Sequence, residues 1–244
     1  MMVPSLYFSR ATLRADPSIA ALGKLLLPDE EDRRLDADHR LVWSLFAGDP
    51  EARRDFLYRR DPAPAARPKY FILSQRPPAL DSALFDVETK PFDPQLSAGD
   101  LLRFSLLANP TVSRSRPKEG DHKPRGLRHD VVMDALQKHP AGSRADARRG
   151  IIEREGRAWL ERQAVASGFA LEDADDSLKI DGYVQRVTGS HGRGRSRGRQ
   201  ICVSLLSFDG LLRVTEPAVF RDRLSQGFGR ARAFGCGLML IRRA

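Results

Sequence analysis

The sequence predicts an α+β fold built from two small units in tandem, and three observations carry that reading. Short apolar or aromatic-rich runs of strand length alternate with stretches of helical period. A proline- and aspartate-containing segment at 91–100 separates two halves that open in the same way, strand, helix, strand, strand. From residue 100 onward the order is β-α-β-β-α-β, the ferredoxin-like (RRM-like) order. Residues 1–93 are therefore expected to form one ferredoxin-like domain and 100–244 a second, from element order alone, since no internal sequence repeat is present. A chain of 244 residues is long enough to bury a core in each.

Within the first half, Leu6 to Leu13 combines aromatic content with partial alternation and reads as a strand. Residues 14–34 are polar and mixed, and read as a connection. Asp38 is placed to cap a helix starting at His39, with Val42, Leu45 and Phe46 on its apolar face. Asp49-Pro50 gives a second helix start, since proline in the first turn sacrifices no hydrogen bond, and Ala52, Phe56 and the stem of Arg59 would line its buried side. Tyr70 to Ser74 is a strand ended by Pro77-Pro78, and Leu84 to Thr89 alternates and is placed beside it.

In the second half, Leu101 to Ala108 is an apolar strand halted by Asn109-Pro110, and a long basic loop runs to about residue 142. Ser143 caps a helix in which Ala147, Ile151, Ile152, Ala158, Trp159 and Val165 recur at helical spacing, and Gly168 stops it. Strands at about 179–187 and 199–208 flank a Gly/Arg-rich tip. Phe208 to Leu211 reads as a turn, after which Leu211 to Thr215 prolongs the sheet. Pro217 opens a short helix with Val219, Phe220 and Leu224, and a Gly-rich loop then leads into a last strand.

Charge points to a polyanionic partner. Lys and Arg number 41 against 32 Asp and Glu, a net +9, and most of the excess is arginine, whose fork suits bidentate phosphate contact. The basic density is local. Arg114, Arg116, Lys118, Lys123 and Arg125 fall in one loop. Arg193, Arg195, Arg197 and Arg199 occupy alternate positions between glycines, so on a β-hairpin their side chains would share one face. The terminal loop holds Gly227, Gly229, Arg230, Arg232, Gly235 and Gly237, where glycine permits positive φ and close backbone approach while arginine attracts phosphate. A dinucleotide fingerprint is excluded because no βαβ unit follows, and no Gly-Lys-Ser/Thr exists for a P-loop. Phe104, Tyr183 and Phe208 read as core rather than stacking platforms, which favours structured RNA over single strands.

The two cysteines, Cys202 and Cys236, have no metal-ligand spacing, so neither a zinc site nor a disulfide framework is expected. No signal peptide or membrane-length apolar stretch is visible, and the expected compartment is the cytoplasm. The carboxylates do not cluster as a two-metal nuclease requires. RNA offers a metal-free route, because its 2′-hydroxyl is an internal nucleophile that needs a base, an acid and cations for the developing charge. Among five histidines, His39 stands at the expected helix start, where the dipole keeps imidazole neutral; Arg40 follows it. Leu35, His39, Val42 and Phe46 also share helical spacing, so a core histidine is the alternative.

Several stretches together resemble the CasE (Cse3) family of CRISPR-repeat endoribonucleases, subunits of type I-E Cascade. They are Leu6 to Arg10, His39 to Phe46, Arg54 to Arg59, Arg103 to Thr111 and Gly227 to Leu238, spread over the chain in the family's order; 112–200 matches only in character. The resemblance implies two ferredoxin-like domains and metal-free cleavage of precursor RNA at the base of the repeat stem-loop, without a cofactor. It implies 2′-hydroxyl attack leaving a 2′,3′-cyclic phosphate and a 5′-hydroxyl, with the product retained in Cascade beside the other subunits. The chain would be a monomer when free. The family's histidine and following arginine fall on His39 and Arg40. Members of the family carry a tyrosine three residues before the histidine; here that position is Asp36, to which no role is assigned. Two other readings stay open: a non-catalytic subunit that binds structured RNA, and a DNA-binding protein, the latter disfavoured because no helix-turn-helix is apparent.

Overall fold

A computed structural model describes residues 6–48, 51, 53–63, 67–114, 127–172, 177–189 and 200–244. The fold is α+β, two tandem ferredoxin-like domains with antiparallel sheets. The first half runs β1 (Tyr7–Leu13), α1 (Pro17–Ala21), α2 (Gly23–Leu26), α3 (Glu31–Trp43), β2 (Phe56–Arg60), β3 (Lys69–Ser74) and β4 (Phe85–Pro91). These strands form one sheet in the order β2-β3-β1-β4. The second half runs β5 (Leu101–Ala108), β6 (Thr111–Arg114), β7 (Leu127–Asp130), α4 (Val131–Lys138), α5 (Arg144–Val165), β8 (Phe169–Leu171), β9 (Leu178–Gly189), β10 (Gln200–Val214), α6 (Pro217–Gln226) and β11 (Met239–Arg243). Its main sheet is ordered β11-β5-β10-β8, with β9 also paired to β10, and β6 and β7 make a separate hairpin.

Several local expectations are corrected. Residues 14–34 hold α1, α2 and the start of α3 instead of a plain connection. Asp38 is no cap: it lies inside α3, which begins at Glu31, and its carboxylate accepts hydrogen bonds from Tyr70 (2.5 Å) and Arg60 (3.1 Å). Phe56 to Arg60 is the strand β2 rather than a helix, because its residues pair in register with β3, from Phe56 opposite Ser74 to Arg60 opposite Tyr70. Leu84 to Thr89 does not pair with β3; β4 lies on the far side of β1, Phe85 opposite Leu13. Residues 75–84 contain no helix, so the first half lacks the second crossover helix of the full βαββαβ order. Phe208 to Leu211 is not a turn, since β10 runs unbroken through it along β5. The α5 stripe contains Ile151, Trp159, Leu160 and Ala164, while Val165 is 85% exposed.

Each sheet has its own core. Phe56, Tyr58, Tyr70, Ile72 and Phe85 meet Leu41, Val42, Leu45 and Phe46 from the helical side of the first. Leu102, Phe104, Leu106 and Phe208 meet Ile151, Trp159, Leu160, Phe220 and Leu224 in the second. Alternation along β2 decides how the halves meet. Phe56 and Tyr58 face the first core, while Leu57 joins Leu73 and Leu238 in a smaller apolar cluster that includes Leu240. Arg59, buried at 6% exposure, donates to Ser105 Oγ of β5 at 2.9 Å, and Arg186 of β9 forms a salt bridge with Glu31 of α3. Among the described residues no helix is long and apolar enough to cross a membrane.

Candidate active site and nucleic-acid interface

His39 lies in the third turn of α3, not at a helix start, so burial rather than the dipole sets its chemistry. Its imidazole stacks beside Tyr58 of β2, with ring centres 6.4 Å apart and planes 15° apart, and meets Trp43 edge-on one turn later. Burial, then the Arg54 cation, lowers its pKa below the ordinary value, and Asp36 on the preceding turn opposes them. The ring is therefore neutral at pH 7 and able to take a proton. Nε2 is buried without a hydrogen-bond partner, a position that costs about 1–3 kcal/mol and is relieved when a hydroxyl docks there.

The terminal loop comes to the same place. Tyr58, only 1% exposed, donates its hydroxyl to the Ala233 carbonyl at 2.9 Å, so the ring beside the histidine also holds the loop. The loop is pinned beside β5 by Gly237 N–H to Leu107 O (2.8 Å) and Arg230 N–H to Asn109 O (3.5 Å), and is closed on itself by Phe228 N–H to Gly237 O (2.9 Å). Asn109 is itself fixed, donating its side-chain amide to Ser204 O at 2.7 Å. Gly227 and Gly237 hold φ of +75° and +92°; a Cβ would lie 2.8 Å from Leu57 Cδ1 at the first and 2.7 Å from Phe228 O at the second. A Cβ at Gly229 would lie 3.0 Å from Asn109 O, and one at Gly235 3.4 Å from Tyr58 Cε2. The glycines thus serve the fold of the loop, and the loop's outward groups are Arg230, exposed, and Arg232, half-buried. Between these arginines Ala231 is left-handed at φ +55°, alone among the described non-glycine residues.

Arg230 and Arg232 line a cleft of about 550 Å³ together with Arg54, Arg223, Thr111, Trp159 and Gln163. Burial, then Arg223, Arg54 and Arg230, lowers the Arg232 pKa, which places the four cations within one field. Arg223 carries no obvious signal in the sequence, and Arg54 shows there only as the first residue of a family-like stretch; packing against the loop gathers them.

Other sequence-predicted residues fall elsewhere. Arg40, one residue on from His39, is exposed on another face of α3, beside Leu25, Leu26, Ala37, Leu41 and Leu84, away from the arginine cleft. Arg114 donates to Asp134 at 2.5 Å, and Asp134, also bonded by Lys138, is held down at about 2 by these two cations. Arg116, Lys118, Lys123, Arg125 and Arg193, Arg195, Arg197, Arg199 lie outside the described residues; β9 and β10, which flank the latter four in the sequence, are paired up to Gly189 and Gln200. Phe104 and Phe208 are core, and Tyr183 is half-buried, donating to Asp130 at 2.9 Å. Cys202 and Cys236 are free thiols, and burial pushes Cys236 up to about 12.

Comparison with known proteins fits this arrangement. A family described as CRISPR associated protein matches residues 6–243. The CRISPR system Cascade subunit CasE of Escherichia coli K12 is 27% identical over 222 residues, covering 90% of this chain and 98% of that protein. The CRISPR-associated endoribonuclease Cse3 of Thermus thermophilus is 27% identical over 199 residues, covering 78% of this chain and 81% of its own. A solved structure of the CRISPR endoribonuclease Cse3 bound to a 19-nucleotide RNA is 25% identical, with a TM-score of 0.64 over 97% of this chain and 99% of that one. With the matched region spanning both sheets, α3 and the terminal loop, the chain belongs to the CRISPR-associated protein family, in its CasE (Cse3) group.

Proposed function

We propose that this chain is an endoribonuclease that cuts CRISPR precursor RNA at the foot of the repeat stem-loop and keeps the product as a subunit of Cascade. The observation that carries the reading is the meeting of both halves at His39: a neutral imidazole with an unpartnered Nε2, stacked on the tyrosine that holds the terminal loop. The relatives supply the substrate class, being named a Cascade subunit and an endoribonuclease. In the reaction His39 takes the proton of the 2′-hydroxyl, and the 2′-oxygen bonds to phosphorus. The bond to the 5′-oxygen breaks, and that oxygen takes up a proton. The products are a 2′,3′-cyclic phosphate and a 5′-hydroxyl. No metal enters this scheme. Charge on the phosphorane is met by Arg54, whose field reaches His39, with Arg40 in a supporting place on α3, while Arg230 and Arg232 hold the strand. Arg114, Arg116, Lys118, Lys123, Arg125 and the four arginines of 193–199 hold the stem through its phosphates. The catalytic histidine belongs to domain 1–93 and the basic surface to domain 100–244. The chain acts in the cytoplasm and is a monomer before assembly.

The test is cleavage of the host's repeat hairpin in EDTA by wild type and His39→Ala. Wild type is expected to cut once at the stem base, and the variant to lose about 10²–10⁴ in rate, the usual worth of a positioned base. Tight binding by wild type with the RNA left whole would leave the non-catalytic RNA-binding reading in its place. Equal cutting by both proteins would make His39 a structural residue.

A further inference from the structure

We propose that the cleft formed by Arg54, Arg223, Arg230 and Arg232 is a phosphate-binding site distinct from the position of the reacting phosphate. Its ligand is a phosphodiester of the same RNA strand, next along the backbone; the inference rests on the function proposed above. Among the described residues no acidic side chain lines the cleft. Among the described residues no salt bridge joins any of the four arginines to a carboxylate, although Arg10, Arg60, Arg76, Arg114 and Arg213 are each paired in that way. Four like charges gathered without a counter-charge repel one another, and an anion relieves that repulsion.

The site is built before any ligand arrives. Arg223 packs its guanidinium over the Phe228 ring, 5.2 Å from the centre, and donates to Gln163 Oε1 at 2.7 Å, while its Nε is buried without a partner. Arg232 is tied back by a 3.3 Å bond to Gly227 O. Arg230 is left exposed at the mouth. Planar forks fixed in this way suit the oxygens of a phosphate better than a lone ammonium would. Arg54 belongs to both places, since its charge acts on His39 and on Arg232. That shared residue is why the ligand is assigned to the strand being cut.

The experiment measures binding of inorganic pyrophosphate by calorimetry, and of a repeat hairpin with 2′-deoxy substitutions through the foot of its stem, which cannot be cut. Wild type, Arg230→Ala and Arg223→Ala are compared, with circular dichroism confirming that each is folded; Arg230 is exposed and tests the idea even if Arg223→Ala does not fold. The expected result is loss of pyrophosphate binding and a hairpin affinity weaker by fivefold or more. The slope of log affinity against log salt should also fall by about 0.7–0.9 for each phosphate that is no longer neutralised. Unchanged hairpin affinity and salt slope in Arg230→Ala would overturn the assignment. Arginine-dependent pyrophosphate binding in a protein that never cuts the unmodified hairpin would uphold the site and refute the nuclease reading instead.

Discussion

Replacing Tyr58 by Phe tests whether one residue joins the base to the terminal loop. The change removes a single oxygen, the hydroxyl that donates to Ala233 O at 2.9 Å, and leaves the ring that stacks on His39 in place. A net intramolecular hydrogen bond is worth about 1 kcal/mol, and Ala233 is only half-buried, so its carbonyl can be rehydrated and the cost stays near that figure. For a chain of this length about 1 kcal/mol lowers the melting temperature by roughly 2–4 °C. The same energy lost from loop docking, with the backbone bonds to Leu107 and Asn109 retained, lowers single-turnover cleavage at subsaturating RNA by roughly fivefold. Tyr58→Ala goes further, emptying a site that is 1% exposed, at about 3–5 kcal/mol, and leaving His39 without its stacked neighbour. A Tyr58→Phe protein with an unchanged melting temperature would show that the hydroxyl does not tie the halves together. A lower melting temperature with undiminished cleavage would show that the loop's position does not matter to the reaction.

Other consequences follow from the same geometry. Arg54 lowers the His39 pKa, so in Arg54→Ala the imidazole regains protons at higher pH. The acid limb of its single-turnover pH profile is expected to move upward relative to wild type, and a limb that stays or moves down would contradict the coupling. Gly237→Ala puts a Cβ 2.7 Å from Phe228 O at a φ of +92°. The left-handed strain alone is worth about 1–2 kcal/mol, so thermal denaturation should show a loss of roughly 2–8 °C or more. Asp38→Ala strands Tyr70 and the Arg60 cation, and chemical denaturation should register a loss of about 3 kcal/mol or more, with Asp38→Asn losing less.

Folding also carries a pH signature from His39. Its folded pKa lies below the ordinary 6.5, so the native state binds fewer protons than the unfolded chain between those two values. The stability associated with neutral His39 is present above the unfolded pKa. It is lost as pH falls through the folded pKa.

The sequence by itself determined the strand at 101–108, the long helix α5, the short helix α6 and the Gly-rich loop with its arginines, but read the stretch holding β6, β7 and α4 as a loop and missed β8. These features are local: an apolar run, a capping position or a glycine cluster shows itself within a dozen residues. It also drew attention to His39, through a motif rather than through any visible environment. Only the tertiary structure decided that Phe56 to Arg60 is a strand, because pairing with β3 outweighs the helix signal of Asp49-Pro50. The same holds for β4, which lies against β1 across the sheet from its expected neighbour. Asp38, polar and readable as a cap, is a buried anchor because Tyr70 and Arg60 converge on it from 32 and 22 residues away. The site itself is the clearest case. Tyr58 reaches Ala233 across 175 positions, and Arg54, Arg223, Arg230 and Arg232 share one cleft only after two sheets have packed. Contact between residues so far apart depends on how the sheets bury Leu57, Leu73 and Leu238 between them, and no periodicity in a single segment encodes it.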